Sequence, residues 1–357
     1  MELLAKMAET NNNGLMQSYL QQQHKLRGII SQFKSKEFVE QRRFSPSLRF
    51  RQALNELYIS SKIKLTHSQY AGFIAWANEM LASQLSELDR IPIRYDNLSG
   101  VIPKEAVDLS TELRWITARL HGEKEKISRF LFLKEAVEGA AIGGDYTTAL
   151  NLLEIIFDTY GATMWSVQLR IALEQVVGGL EQQKKYAAQV RSIYKQGLLA
   201  YVTYHTSVRN EERTTISKYF DEIERRISNH AYYDDATQTY MRYRLKNELP
   251  ATDAGIADVL RTEQSHGIID IYETFIAVLQ ELVKWEGRDE LHQILIECVS
   301  NLGVSDYRLQ KFSQFLFPRT STPFYLAAKK FLIFFFRDQV CKPLGQPGRA
   351  YQAILGR

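Results

Sequence analysis

Apolar residues recur at helical spacing along most of the chain, and the pattern is clearest near its middle. From Ala149 the apolar positions have offsets of 0, 3, 4, 7, 8 and 11, which is one face of an α-helix. Gly161 follows at the position of a C-terminal cap. The apolar residues of this face are Ala149, Leu152, Leu153, Ile156, Phe157 and Tyr160.

A second predicted helix precedes this one and is separated from it by a short turn. Gly143 and Gly144 end the earlier helix, and Asp145 is placed to cap the start of the next. Two amphipathic helices joined by so short a turn predict an antiparallel αα-hairpin. The apolar face of the earlier helix carries Phe130, Leu133, Val137, Ala140 and Ala141.

The same arrangement recurs downstream. A helix from Leu291 to Leu302 repeats the offsets 0, 3, 4, 7, 8 and 11, and Gly303 follows it as Gly161 follows the first. A longer apolar helix, 268–283, precedes it, with a turn at 286–289 between the two. Two similar hairpins favour a stack of helix pairs.

The helical segment 130–160, which contains GDYTTAL at residues 144 to 150, resembles the tetratricopeptide-type helical repeats, and 268–302 is similar. The resemblance covers about 35 residues in each of two places. It implies an α-solenoid-like array that binds another protein. The chain departs from the family pattern, because it lacks the Trp-x2-Leu-Gly signature and a strict 34-residue period.

Proline positions give the predicted organisation. Between Pro103 and Pro250 no proline occurs, as long helices require. Turn-forming residues with proline break the chain at 91–104 and 247–255. We therefore predict an all-α fold of stacked antiparallel helical hairpins with a basic N-terminal helical region. The ranges are 1–90 for the N-terminal region, 104–246 for the central array, 250–340 for the C-terminal hairpins and 341–357 for a Pro/Gly tail.

Composition narrows the class of protein. With 45% apolar and 24% charged residues the chain is globular rather than disordered. The only cysteines, Cys298 and Cys341, form no metal or redox motif, so we expect a reducing cytoplasm. We expect no signal peptide and no transmembrane segment, because the most apolar run, Phe331–Phe336, is far shorter than a span. An exposed run of this kind would aggregate, so we expect it to be buried.

Tyrosines concentrate between Tyr186 and Tyr243, where nine of the nineteen fall, and arginines accompany them. Tyr and Arg together are the composition of binding hot spots, although tyrosine equally suits packing between helices. The sequence predicts a partner-binding surface formed by Tyr194, Tyr201, Tyr204, Arg209, Arg213, Tyr240, Arg242 and Tyr243.

A basic segment from Lys25 to Lys64 supports an alternative function. It holds ten bases against three acids, with phenylalanines between them, a pattern that could give phosphate contacts and stacking. A solvated face or an acidic protein partner explains the same charges. The residues that would bind nucleic acid are Lys34, Lys36, Arg42, Arg43, Arg49 and Arg51.

A ribonuclease is the enzymatic version of this alternative. Arg225 and His230 have the spacing that places arginine and histidine on one helix face in the HEPN ribonucleases. Two other pairs, Arg114 with His121 and Arg261 with His266, match as well. So many matches are close to chance, and the acids and bases around Arg225 equally indicate a surface face with intrahelical pairs.

No nucleotide-binding, protease, hydrolase or kinase motif occurs, and the histidines are scattered. We therefore expect no metal site and no cofactor, although a catalytic site assembled from distant residues stays open, as does the oligomeric state. The expectation favoured by the sequence is a non-enzymatic helical scaffold or adaptor that binds another macromolecule, most simply a protein.

Overall fold

A computed structural model describes residues 2–34, 46–89, 108–194, 198–211, 215–229, 234–264 and 266–310. All of its regular structure is helical, and the described ranges contain no strand, which confirms the all-α prediction. We label the helices α1 to α13, and a last helical turn follows at 307–310. In chain order the bounds of α1 to α13 are Glu2–Lys34, Pro46–Lys64, His67–Asp89, Leu109–Gly122, Lys124–Ile142, Tyr146–Tyr160, Met164–Tyr194, Leu198–Arg209, Ile216–Ser228, Asp235–Lys246, Asp253–Glu263, Ile268–Leu282 and Asp289–Leu302.

Helices α5 and α6 form the hairpin that the sequence predicts. The Asp145 carboxylate accepts a hydrogen bond from the Thr148 backbone N–H at 3.0 Å, so the expected N-cap of α6 is present. Gly161 ends α6 with a φ of 77°, a left-handed value that side chains disfavour. The helix faces chosen from spacing alone are buried, including Phe130, Val137 and Ile156.

The downstream pair is arranged differently, although both of its helices form. Helix α13 packs most extensively on α4, which precedes it by more than 150 residues, and has little backbone contact with α12. Gly303, just after α13, lies so close to α4 that an added Cβ would come within 3.0 Å of His121 Nδ1. Helix α12 is surrounded and buries residues on nearly all sides. Helices therefore stack as expected, but α12 and α13, which are consecutive in the sequence, do not form a hairpin with each other.

The buried apolar side chains of the described residues form three clusters. The N-terminal cluster is built from α1, α2 and α3, and Trp115 of α4 joins it. The central cluster contains residues of α4–α6 together with residues of α11–α13. A third cluster lies among α7, α8, α9 and α10. The irregular segment 247–252 lies within the predicted break, and the central cluster contains residues that precede it and residues that follow it in the sequence.

The path of α7 changes direction at Gly179. This glycine has φ 72° and ψ −171°, which is outside the helical region and open only to glycine without strain. No atom lies within 4 Å of a Cβ added there, so backbone conformation rather than crowding requires the glycine. The second half of α7 then runs beside α8, and the two helices make the most extensive backbone contact in the described structure.

A buried charge cluster connects the N-terminal helices to the rest. Lys62 of α2 donates to the Glu112 carboxylate of α4 at 2.8 Å, and both side chains are buried. The Gln264 amide, just after α11, donates to the same carboxylate at 2.9 Å. Burial lowers the pKa of Lys62 to about 8, although the Glu112 charge opposes this shift. Three distant parts of the chain therefore meet at one carboxylate.

No helix in the described ranges combines the length and the apolar character that crossing a bilayer requires. The predicted run Phe331–Phe336, Cys341 and the Pro/Gly tail 341–357 lie outside the described residues, as does the whole of the predicted break at 91–104.

Candidate partner-binding surface

The second half of α7, helix α8 and helix α9 carry aromatic side chains that are joined by contacts between the helices. Tyr194 of α7 and Tyr201 and Tyr204 of α8 are each half-buried, so part of every ring is open to solvent. Burial raises the pKa of Tyr194 and of Tyr201 above the usual tyrosine value, which is already well above neutral pH. Tyr194 follows Arg191 by one turn on α7, and Tyr201 and Tyr204 are one turn apart on α8.

The buried His205 packs against the rings of Tyr201 and Tyr204. Its imidazole is buried and lies edge-to-face with Tyr201 at 4.5 Å, with Tyr204 at 5.0 Å and with Tyr219 of α9 at 6.4 Å between ring centroids. Burial lowers the pKa of His205 to about 4, and the nearby Arg226 charge adds to this shift. The histidine is therefore a neutral packing residue, which fixes α9 against α8.

Two exposed arginines lie over aromatic rings of the same helices. The Arg191 guanidinium is 4.9 Å from the Tyr204 ring centroid, and that of Arg209 is 5.9 Å from the Phe220 centroid. Neither arginine makes an ion pair with a carboxylate of the described residues. We call the set Arg191, Tyr194, Tyr201, Tyr204, Arg209 and Phe220 the Tyr/Arg surface.

A polar pocket of about 390 Å³ adjoins this surface at the end of α8. Arg209 is at its edge, and Tyr219 connects it to the aromatic cluster. No aspartate or glutamate lines it. The lining residues are Gln168, Ala172, Thr206, Arg209, Asn210, Tyr219, Tyr243, Arg244, Leu245 and Asn247.

Tyr240 and Tyr243, which the sequence assigns to the binding surface, lie in the core instead. Tyr240 is fully buried and its hydroxyl donates to the Glu263 carboxylate at 3.0 Å. The hydroxyl of Tyr243 donates to Thr274 Oγ1 at 3.1 Å, inside α12. In this conformation neither ring is available to a partner.

Arg244 and Glu263 form the ion pair at the centre of that interior network. Arg244 Nε also donates to the Tyr240 hydroxyl at 2.9 Å, and His266 Nδ1 is 2.8 Å from the other Glu263 oxygen. Burial alone would raise the pKa of Glu263, but the charges of Arg244 and His266 lower it to about 2. Every charge in this network therefore has a partner, which distinguishes it from the Tyr/Arg surface.

A nearby carboxylate fixes the start of α7. Asp270 of α12 is buried and accepts hydrogen bonds from the Met164 backbone N–H at 3.0 and 3.2 Å. It therefore caps α7 from another helix, where the exposed N–H groups favour a negative charge. Burial raises the pKa of Asp270, against the opposing charge of Arg244.

The remaining predicted surface residues are divided. Arg242 is half-buried and donates from Nη2 to the Glu224 carboxylate at 2.7 Å, so its charge is balanced within the fold. Arg213 lies outside the described residues. Of the eight predicted residues, the structure leaves Tyr194, Tyr201 and Tyr204 half-buried and Arg209 exposed on the neighbouring helices α7 and α8.

Sequence reasoning missed Arg191 and Phe220, which complete the Tyr/Arg surface. Arg191 is three residues before Tyr194 on α7, so the sequence alone indicates that the two residues are neighbours on this helix. Its stacking partner, Tyr204, belongs to α8, and Phe220 belongs to α9. No local signal indicates contacts across separate helices.

The basic N-terminal segment is described only in part. Lys36, Arg42 and Arg43 lie outside the described residues, and of Lys34, Arg49 and Arg51 only the helical backbone is described. Lys25 and Lys64 are exposed, and their charges are close together. Burial lowers the pKa of Lys25, and the charge of Lys64 lowers it further. Lys62 of the same segment is buried against Glu112.

Of the predicted ribonuclease pair, Arg225 and His230, the structure describes only Arg225. Arg225 is exposed near the end of α9, and this helix ends at Ser228 with Asn229 as its C-cap. His230 lies outside the described residues. The ribonuclease alternative therefore stays a prediction.

Metal-ligating groups do not converge within the described ranges, where no three His, Cys, Asp or Glu side chains could hold an ion together. Cys298 is a buried free thiol, and burial raises its pKa to about 12, so it is unreactive at neutral pH. Comparison of the chain with protein-family models, with curated proteins and with solved structures finds no match.

Proposed function

We propose that the chain is a non-enzymatic helical adaptor that binds a partner protein through the Tyr/Arg surface. The observation that carries the proposal is the stacking of exposed arginines on half-exposed aromatic rings across α7, α8 and α9. Tyr and Arg are both enriched in binding hot spots. Tyrosine buries a large area with only two rotatable bonds, and the planar guanidinium of arginine offers several donors and stacks on aromatic rings.

The fold supports a binding role in a second way. The rings of the surface are held by the buried His205 and by helix packing, so little ordering is needed when a partner binds. A repeat-like stack of hairpins is part of this proposal, since such arrays present extended helical faces. A reducing cytoplasm is part of it too, because Cys298 is a buried free thiol.

The experiment is an affinity capture from extracts of the native host with the full chain as bait, followed by identification of the bound proteins. The variant carries Tyr201→Ala and Tyr204→Ala together. We expect it to lose a specific partner that the wild-type chain captures, while helicity and the midpoint of thermal unfolding stay near wild type.

The matched control replaces two exposed apolar residues of another face, Phe132→Ala and Ile142→Ala, which are 61% and 88% exposed. This control should capture the partner as the wild type does. Capture that is unchanged by the two tyrosine substitutions, or lost equally in the control, contradicts the proposal.

A second candidate function is nucleic-acid binding by the N-terminal region. Its specific support is the proximity of the Lys25 and Lys64 charges, since two close lysines form a site for a phosphate. Lys25→Glu with Lys64→Glu should then abolish binding of a labelled single-stranded RNA at about 50 mM salt. If wild-type chain shows no salt-dependent RNA binding, this candidate is wrong.

A further inference from the structure

The Tyr/Arg surface has a local charge opposite to that of the helical body around it. Residues 101–310 contain 24 Lys and Arg against 31 Asp and Glu, which gives a net charge of −7. The helical segments that carry the surface, 180–194, α8 and α9, by contrast contain seven Lys and Arg against four Asp and Glu, which gives a net charge of +3. A basic face on an acidic body attracts a different partner from the rest of the molecule, because complementary potentials select partners at encounter.

Several neighbouring arginines are paired within the fold. Arg170, Arg226 and Arg242 each form an ion pair with a glutamate. Arg191 and Arg209 instead each lie over an aromatic ring without an ion pair to a described carboxylate. Their guanidinium groups are exposed and already oriented by the ring, so their N–H donors are available to an incoming acceptor.

The spacing on α8 gives a lower limit for the length of the partner's contact. Tyr204, beneath Arg191, and Arg209 are five residues apart on α8, which corresponds to a rise of about 7.5 Å along the helix axis. An extended chain needs at least about two to three residues to cover this rise. The pocket beside Arg209 has no carboxylate in its lining, and Arg244 within it is neutralised by Glu263. Arg209 therefore supplies the uncompensated positive charge there.

We infer that the partner presents a short acidic segment, whose carboxylates bind Arg191 and Arg209 while its apolar side chains lie on Tyr201 and Tyr204. This inference rests on the proposed function and adds the chemistry of the partner to it. Bidentate pairing of guanidinium with carboxylate gives both the affinity and the register of the segment.

The test measures binding of a short fluorescein-labelled peptide, in which glutamate alternates with phenylalanine and leucine, to the full chain by fluorescence anisotropy. Versions with glutamine or with lysine in place of glutamate have the same apolar positions. At about 50 mM salt we expect the glutamate peptide to bind about tenfold more tightly than the glutamine peptide, and the lysine peptide not to bind.

Arg191→Ala with Arg209→Ala should weaken binding of the glutamate peptide about tenfold or more. The matched control, Lys124→Ala with Arg129→Ala, removes two exposed positive charges from α5 and should leave the affinity within about twofold. Equal affinity for the glutamate and glutamine peptides, or no binding of the glutamate peptide, overturns the inference. So does an equal loss in the control.

A labelled oligouridine of similar length is the third ligand. If it binds more tightly than the glutamate peptide, and loses affinity when Arg191 and Arg209 are replaced, the surface recognises nucleic acid and the inference is wrong. The proposed function fails separately, when Tyr201→Ala with Tyr204→Ala captures the same host proteins as the wild type.

Discussion

Tyrosine and arginine occur together in two neighbouring regions of this molecule, in opposite environments. In α10, Tyr240 and Arg244 are held inside the fold by Glu263. On α7 and α8, Tyr204 and Arg191 stack on each other at the surface, with no carboxylate of the described structure paired to the arginine. The same pair of residue types therefore stabilises the core in one region and is open to a partner in the other.

The difference comes from what packs against each helix. Helix α10 contacts α8, α9 and α11, so most of its circumference is covered. Helix α8 packs on α7 and, less extensively, on α10, which leaves one side open. A buried arginine must have a counterion because isolated charge is costly away from water, whereas an exposed arginine is hydrated without one.

The largest expected effect comes from removing the interior counterion. Glu263→Gln leaves the Arg244 guanidinium, whose side chain is only 10% exposed, without its ion pair. We expect the free energy of unfolding to fall by about 3–5 kcal/mol, measured by urea denaturation followed by circular dichroism. Glu222→Gln, which breaks the exposed pair with Arg226, should cost less than about 1 kcal/mol. Similar losses for both variants would remove the distinction between the regions.

A pH series measures the cost of a second buried charge, that of Lys62, for comparison with the buried Arg244 of α10. The pKa of Lys62 is about 8 in the folded chain against 10.5 in the unfolded chain, so the unfolded state binds more protons between these values. The cost of burying the charge is therefore complete below about pH 8 and is relieved as pH rises. Relative to Lys62→Met, the free energy of unfolding of the wild type should rise by about 1.4 kcal/mol per pH unit between about pH 8 and 10. A flat difference contradicts the burial of a charged lysine.

Removing one tyrosine hydroxyl in each region compares the interior with the surface while leaving the shape of the side chain nearly unchanged. Tyr240→Phe deletes the oxygen that bonds Glu263 and Arg244, and it should lower the free energy of unfolding by about 1–3 kcal/mol. Tyr204→Phe should change it by less than about 0.5 kcal/mol, because this ring is at the surface. Thermal or urea unfolding of the two variants side by side gives the result. The reverse order would show that Tyr204 belongs to the core.

A small effect on stability is expected from Arg191→Ala. Its stacking on Tyr204 is solvent-exposed, and such contacts contribute about 0.5–1 kcal/mol. We expect a change of this size or less in the free energy of unfolding by urea denaturation. A loss above about 2 kcal/mol would assign Arg191 to structure rather than to binding.

Local features of the fold were predictable because local residues decide them. The hairpin of α5 and α6 follows from the apolar spacing of Leu153 and Ile156, the cap at Asp145 and the glycine at 161. Its two helices are adjacent in sequence and joined by a short turn, so their pairing costs little chain entropy. The packing of α13 on α4 was not predictable, because both faces of α12 are apolar and nothing in the spacing says which helix covers which.

The sequence predicts the residue types of the candidate surface, tyrosine and arginine, but not its full set of residues. Arg191 and Phe220 join it in the structure, and Tyr240 and Tyr243 are buried. Tyr201 and Tyr240 both lie on helices and share a sequence region rich in tyrosine and arginine, but Tyr201 is half-buried and Tyr240 is fully buried. The chemistry of Arg191 depends on Tyr204, thirteen positions away and on another helix. Spacing indicates which residues share a helix face but not whether another helix covers that face.

The sequence by itself determined that this chain is helical, where its clearest hairpin turns and caps lie, and that tyrosine and arginine concentrate between residues 186 and 243. Tertiary structure decided which of these residues meet a counterion in the interior and which remain open. The physical reason is that helix formation depends on interactions within a few residues, whereas burial of a charge depends on distant helices. Glu263 makes Arg244 a core residue, and the absence of an equivalent carboxylate near Arg191 in the described structure leaves it available to a partner.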